Sequence, residues 1–215
     1  DASDGSHRQV FEERIDGGGA LGSVVKADFG ALAESVSADG RYIALTHDDR
    51  RDRNDILVHD RKSGETRPFL ATQYDEDHPA FSPDGTLLAY AANDSGRSEV
   101  YVRPFPGPGG KYTISNHGGT GPVWSRDGRE LFYAEGDKLM RVGIERAPRF
   151  TATPPQILFE TPDFVWERVR NYDVLPDGTG FVLVRRGAGT PATRTLRVVF
   201  NWFSELERLA PKVPR

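Results

Sequence analysis

A four-residue signature returns along the chain at nearly constant spacing. Ser37-Ala38-Asp39-Gly40, Ser82-Pro83-Asp84-Gly85 and Ser125-Arg126-Asp127-Gly128 are three copies, and Leu175-Pro176-Asp177-Gly178 is a fourth, degenerate one. Their first residues lie 45, 43 and 50 positions apart. Such a period constrains the fold strongly, because each unit must bury its apolar face against its neighbours. Every copy precedes an apolar, β-rich run: Tyr42-Ile43-Ala44-Leu45, Leu87-Leu88-Ala89-Tyr90, Leu131-Phe132-Tyr133 and Phe181-Val182-Leu183-Val184. Short strand-like stretches such as Pro79-Ala80-Phe81 and Pro122-Val123-Trp124 come before. Asp-Gly between two β-rich runs is a hairpin signal, since glycine tolerates positive φ and aspartate bonds nearby backbone amides.

A second strand pair follows within each unit. In the first it is Asp55–Asp60 and Thr66–Leu70 around a Lys62-Ser63-Gly64-Glu65 turn; in the second, Glu99–Val102 and Lys111–Ile114 around the Pro- and Gly-rich run from Pro104 to Gly110. Four strands in about 45 residues, repeated, predict an all-β fold, a β-propeller of four-stranded antiparallel blades. A solenoid would need a period nearer 20–30 residues, and a sandwich would show none. The spacing sets blades at about 31–75, 76–118, 119–165 and 166–204. Phe203, Leu206 and Leu209 add one short C-terminal helix, taking the propeller to residue 209. Residues 1–30 stand outside the repeat, with Val10–Ile15 as one strand. That strand either completes the last blade or belongs to an arc of a larger propeller. Four blades is the low end for closure, so the expectation is an arc that pairs as a homodimer.

The chain's 28 Lys and Arg face 32 Asp and Glu, a net charge of -4 with no single-sign block. No basic face for nucleic acid follows from that. No apolar run approaches 18 residues, so membrane insertion by a helix is not expected of these residues. Without cysteine, disulfides, thiolate metal sites and a Cys nucleophile are excluded.

Ser-Pro-Asp-Gly followed by an apolar strand resembles the WD40-like PD40 repeat of TolB-type propellers. The tail Leu196-Arg197-Val198-Val199-Phe200-Asn201-Trp202-Phe203-Ser204-Glu205-Leu206 is similar to the strand and helix that end the C-terminal propeller region of many bacterial eukaryote-like serine/threonine kinases. Tyr101-Val102-Arg103-Pro104-Phe105-Pro106-Gly107-Pro108-Gly109-Gly110-Lys111 resembles the same group. The resemblance implies a non-catalytic ligand-sensing or protein-interaction module on the extracytoplasmic side of a bacterial membrane. The alternatives are a TolB-like envelope propeller that binds other proteins, or the gating propeller of a serine peptidase.

Several motifs invite chemistry that their surroundings do not support. Gly17-Gly18-Gly19-Ala20-Leu21-Gly22-Ser23-Val24 matches a kinase glycine-rich loop, yet Asp28-Phe29-Gly30 follows within six residues of Gly22 and no catalytic loop exists. No Gly-x-Ser-x-Gly elbow is present. The five histidines (His7, His47, His59, His78, His117) fall outside metal-ligand spacing, and the charged run Asp48–Asp55 lacks the glycine hinge of a calcium loop. Asp39, Asp84, Asp127 and Asp177 fit turn positions. The expectation is therefore no enzyme activity, no cofactor and no metal. Recognition, of a protein or a small molecule, is expected from the loops joining one blade to the next at the channel rim. Tyr74, Asp75, His78, His117, Trp166, Arg168 and Arg170 are the candidates there, since aromatics, His and Arg beside acids make good contact surfaces.

Overall fold

The computed structural model describes residues 10–12, 22–25, 30–48, 53–107, 109–161, 170–175 and 177–184. Every regular element among them is a strand, paired antiparallel. Val10–Glu12 (β1) pairs with Gly22–Val25 (β2). The first full blade is Gly30–Val36 (β3), Tyr42–Asp48 (β4), Asn54–Asp60 (β5) and Glu65–Leu70 (β6), hydrogen-bonded in that order. The second is Glu76–Phe81 (β7), Leu87–Ala92 (β8), Glu99–Pro104 (β9) and Tyr112–Thr113 (β10). The third is Thr120–Trp124 (β11), Glu130–Glu135 (β12) and Lys138–Glu145 (β13). Its outer position is shared by Thr151–Ala152 (β14) and Gln156–Glu160 (β15), which both pair with β13. Tyr172–Val174 (β16) and Phe181–Leu183 (β17) form the hairpin of a fourth. Meandering four-stranded sheets stacked face to face are a β-propeller, as the period predicts. The terminal helix and the Leu196–Leu206 tail lie outside the described residues.

Side-chain alternation explains the stacking. Leu88, Tyr90 and Ala92 of β8 face the first blade, packing with Ala44, Ile56 and Val58. Leu87 and Ala89 face the third, against Trp124, Leu131, Tyr133 and Val142. All six β8 residues are therefore buried, and the strand reads as an unbroken apolar run instead of an alternating one. Leu88, Ala89, Tyr90, Val100, Val102, Leu131 and Tyr133 are essentially without solvent contact; each large apolar one contributes about 1.5–3 kcal/mol of burial. Outer strands are the reverse: β6 and β15 expose most of their residues. The series continues past the full blades at both ends. Val25 and Val10 pack on Ile43, Leu45 and Leu57, while Tyr172, Val174, Phe181 and Leu183 pack on Val123, Phe132 and Leu139. Gly22, the last glycine of the kinase-like run, opens strand β2.

The repeated aspartates serve the turns. Ser37, Ser82 and Ser125 each donate their hydroxyl to the aspartate two residues on, at 2.6, 2.6 and 2.7 Å. The same hydroxyls accept from the amides of Tyr42, Leu87 and Glu130. The four turn glycines share φ of +69, +68, +66 and +72°, a left-handed conformation that a β-branched residue strains to adopt.

Candidate functional site

The first strand of each blade touches the first strand of the next, so β3, β7, β11 and β16 form the inner wall. Hydrogen bonds fix their relative heights. The Phe81 amide donates to Ser35 Oγ at 3.0 Å, Trp124 Nε1 donates to the Ala80 carbonyl at 3.0 Å, and Tyr172 Oη donates to the Gly121 carbonyl at 2.6 Å. Away from the Asp-Gly turns these strands end together, and there the polar side chains gather.

Asp77, Thr120 and Arg170 lie five residues before the first residue of their turns, which puts them at one level. Asp77 Oδ1 is 2.8 Å from His78 Nδ1, and Thr120 Oγ1 lies 3.4 Å from the same nitrogen. Glu34 joins from β3, displaced by the bulge between Ala33 and Ser35, with Thr46 Oγ1 donating to its Oε1 at 3.4 Å. Arg170 runs past Gly121, whose backbone leaves room beside the arginine's Cγ. His78 is buried and adopts φ +52°, the one non-glycine among the described residues with positive φ. Blade three places Gly121, at φ +58°, in the equivalent position, and a proline follows both residues. A bulky side chain kept where glycine is easier marks stored strain, common at recognition sites.

Electrostatics couple these groups. Burial is the largest influence on Glu34 and raises its pKa, against the opposing pull of the His78 and Arg170 charges. Burial is also the largest influence on His78 and works against protonation, but the Asp77 bond and the Asp77 and Glu34 charges outweigh it, leaving the pKa raised. The mouth is thus a mixed-charge cup of two acids, a readily protonated imidazole and a guanidinium.

An Asp-oriented His resembles half of a nucleophilic triad, but the nearby hydroxyl, Thr120, approaches the nitrogen that Asp77 already occupies. The opposite nitrogen, Nε2, would have to deprotonate a nucleophile. Among the described residues no group of three or more His, Cys, Asp or Glu side chains converges as metal ligands.

Of the candidate residues, the structure brings His78 and Arg170 together. Asp75 is taken up structurally: it accepts from the Asn54 amide and from Asn93 Nδ2, while its own amide donates to Asn93 Oδ1. Tyr74 and His117 are exposed and away from the cluster's contacts. Trp166 and Arg168 lie outside the described residues. Glu34, Asp77 and Thr120 were not singled out by residue type. Counting back from each turn to a common register finds Asp77 and Thr120, whereas Glu34 needs the bulge. His59 is buried in the first blade, with Nδ1 2.9 Å from Thr66 Oγ1.

No protein-family model matches the sequence, and no curated protein matches it either. Solved structures do. TolB from Acinetobacter baumannii superposes with a TM-score of 0.59 at 17% identity, over 80% of this chain and 42% of that one. A protein described as putative TolB from Agrobacterium tumefaciens gives 0.55 at 17% identity, over 67% and 54%. An oligogalacturonate lyase in complex with manganese gives 0.59 at 14% identity, over 87% and 55%. At these identities the likeness is one of fold: an all-β propeller. The chain spans about half the length of these proteins.

Proposed function

We propose that this chain is a non-catalytic binding module, and that the inner-strand mouth formed by Glu34, Asp77, His78, Thr120 and Arg170 recognises a protein or small-molecule ligand bearing both a negative group and a hydrogen-bond donor. One observation carries the reading. Three successive blades present different polar side chains at one register, Asp77, Thr120 and Arg170, with Glu34 brought beside them by the bulge in β3, and His78 holds a strained backbone there. The TolB-type neighbours support binding over turnover, while the lyase neighbour shows that the architecture also hosts an enzyme.

The finer reading is the C-terminal sensor region of a bacterial eukaryote-like serine/threonine kinase, supported by the Tyr101–Lys111 and Leu196–Leu206 motifs. The same geometry suits a TolB-like envelope propeller or the gating propeller of a serine peptidase. Blades at 31–75, 76–118, 119–165 and 166–204, an extracytoplasmic location and a homodimer belong with this reading. Sequence flanking the chain separates the three: a kinase domain upstream, a signal peptide, or a hydrolase domain.

A thermal-shift panel of dicarboxylates, amino acids and short peptides tests the mouth directly. The expected result is a stabilising hit lost in both His78→Gln and Arg170→Gln, with each variant still melting cooperatively. Ligand-specific turnover abolished by either substitution overturns the binding reading.

A further inference from the structure

The mouth leaves the opposite, outer side of the blades unexplained, and two grooves there share one make-up. Between the first and second blades lies a cavity of about 610 Å³, floored by Phe69 and Phe105, walled by Pro68 and Pro106, and flanked by Arg67 and Arg103. Phe105 is anchored by aromatic neighbours: its ring centre sits 4.8 Å from Phe81, 5.0 Å from Tyr42 and 5.8 Å from Phe69. Between the second and third blades a cavity of about 630 Å³ carries Tyr112 stacked on Phe150 at 4.1 Å, with Pro148, Arg146 and Arg149 beside them. Pro104 borders both grooves. Gly109 is what folds the Pro-Gly loop onto Pro104, since a Cβ there would fall 2.4 Å from the proline ring.

The cations decide what such grooves accept. No carboxylate lines either one. Arg146 is committed to Asp84 and the Gly128 carbonyl. Arg103 spends only Nε, on Tyr90 Oη at 3.0 Å, which fixes the fork and leaves its terminal nitrogens. Among the described residues Arg67 and Arg149 have no hydrogen-bond or ion-pair partner. Both cavities fall in the ligand-pocket range of about 300–1,000 Å³. Aromatic and proline floors would take apolar side chains, and positioned guanidiniums take carboxylates as a fork. Two like pockets either side of one proline fit a chain that repeats its chemistry along its length.

We propose that these grooves, continuous across Pro104, are a docking surface for an extended acidic peptide segment of a partner protein, in which apolar side chains alternate with carboxylates. The site is distinct from the mouth and independent of it.

A short fluorescein-labelled peptide alternating Glu and Phe, followed by fluorescence anisotropy on the 215-residue chain, tests this. Saturable binding is expected, weakening as salt rises. Replacing every Glu by Gln, or every Phe by Ser, should each weaken it about tenfold or more. Arg67→Gln should weaken it about tenfold and Arg67→Glu further, with Arg149→Gln giving a smaller loss. Arg67 is exposed and has no partner among the described residues, so its variants report on binding and not on folding. Arg126→Gln, on a turn elsewhere, should leave binding unchanged. Equal affinity for the Gln peptide, no effect of Arg67→Glu, or no saturable binding overturns the proposal. Loss in Arg170→Gln but not in Arg67→Glu places the peptide at the mouth, which overturns the outer-groove site while the mouth reading stands.

Discussion

At its turn end, each innermost strand runs into nearly the same residues: a serine hydroxyl joined to an aspartate, that aspartate to a backbone amide, and a left-handed glycine. At the mouth end the same strands present Glu34, the Asp77–His78 pair, Thr120 beside Gly121, and Arg170. One end repeats and the other diverges, although both belong to strands held in register by interblade hydrogen bonds. Repetition there reflects a demand every blade makes, the closing of a hairpin. Divergence reflects freedom from that demand, which is where a chain of repeats can place specificity. The fourth turn sharpens the contrast. Leu175 replaces the serine, yet the backbone bonds from Leu175 to Gly180 (2.8 Å) and from Gly178 to Leu175 (2.9 Å) survive, and Thr179 Oγ1 donates to Asp177. The glycine and aspartate are sufficient for the turn; the serine adds to it.

Four measurements probe the difference between the two ends. Trp124→Ala should have the largest effect, about 3–5 kcal/mol by urea unfolding, because the residue is 7% exposed and its Nε1 ties the third blade to the second. A cost below about 1 kcal/mol would mean that the blades do not support one another. Ser82→Ala should follow at about 1–3 kcal/mol, since Ser82 is 1% exposed and its loss leaves the Leu87 amide without its hydroxyl partner. Leu175→Ser, restoring the repeat, should cost less than Ser82→Ala; equal losses would break the view that the serine belongs to this turn.

Third come two glycines. The adjacency of Gly118 and Gly119 suggests a backbone that adjusts, so that substitution at Gly118 is milder than at Gly85. The structure reverses this: φ is +68° at Gly85 but +106° at Gly118, beyond the left-handed region open to other residues. The Gly118 amide also donates to Glu99, a 3%-exposed carboxylate that Ser115 contacts as well. Gly118→Ala should therefore cost at least as much as Gly85→Ala, both about 1–3 kcal/mol in melting experiments.

The smallest effect is a slope with pH, to which the mouth contributes through Glu34 and His78; His59, whose pKa burial lowers, acts in the opposite sense below about pH 6.5. Glu34 and His78 both have folded-state pKa values above their ordinary 4.5 and 6.5. The stability each contributes is complete below its ordinary value and is lost as pH rises through the raised one. The melting temperature should therefore fall as pH is raised above about 6.5, where His78 still loses its proton and His59 has already lost its own. His78→Gln should flatten that fall, whereas Ser82→Ala should lower the whole curve without changing its shape. An unaltered slope in His78→Gln would separate the histidine from the mouth's charge balance.

Much of this was legible in the chain itself. The spacing of the Ser-x-Asp-Gly copies sets the repeat and so the propeller, because each copy carries its own turn chemistry within five residues. Leu87–Ala92 announces a strand buried on both faces by being apolar throughout. Which polar residues meet at the mouth was only partly legible. His78 and Arg170 stood out by type, but Asp75 looks as available as Asp77 until Asn54 and Asn93 are seen to occupy it. Glu34 enters through a bulge that shifts its strand's register, and no local pattern encodes that shift. The outer grooves are likewise a product of neighbouring blades, since Arg67 and Arg103 are 36 residues apart in the chain. Turns are decided by bonds between residues a few positions apart, whereas a site between blades exists only once packing sets which side chains share a space.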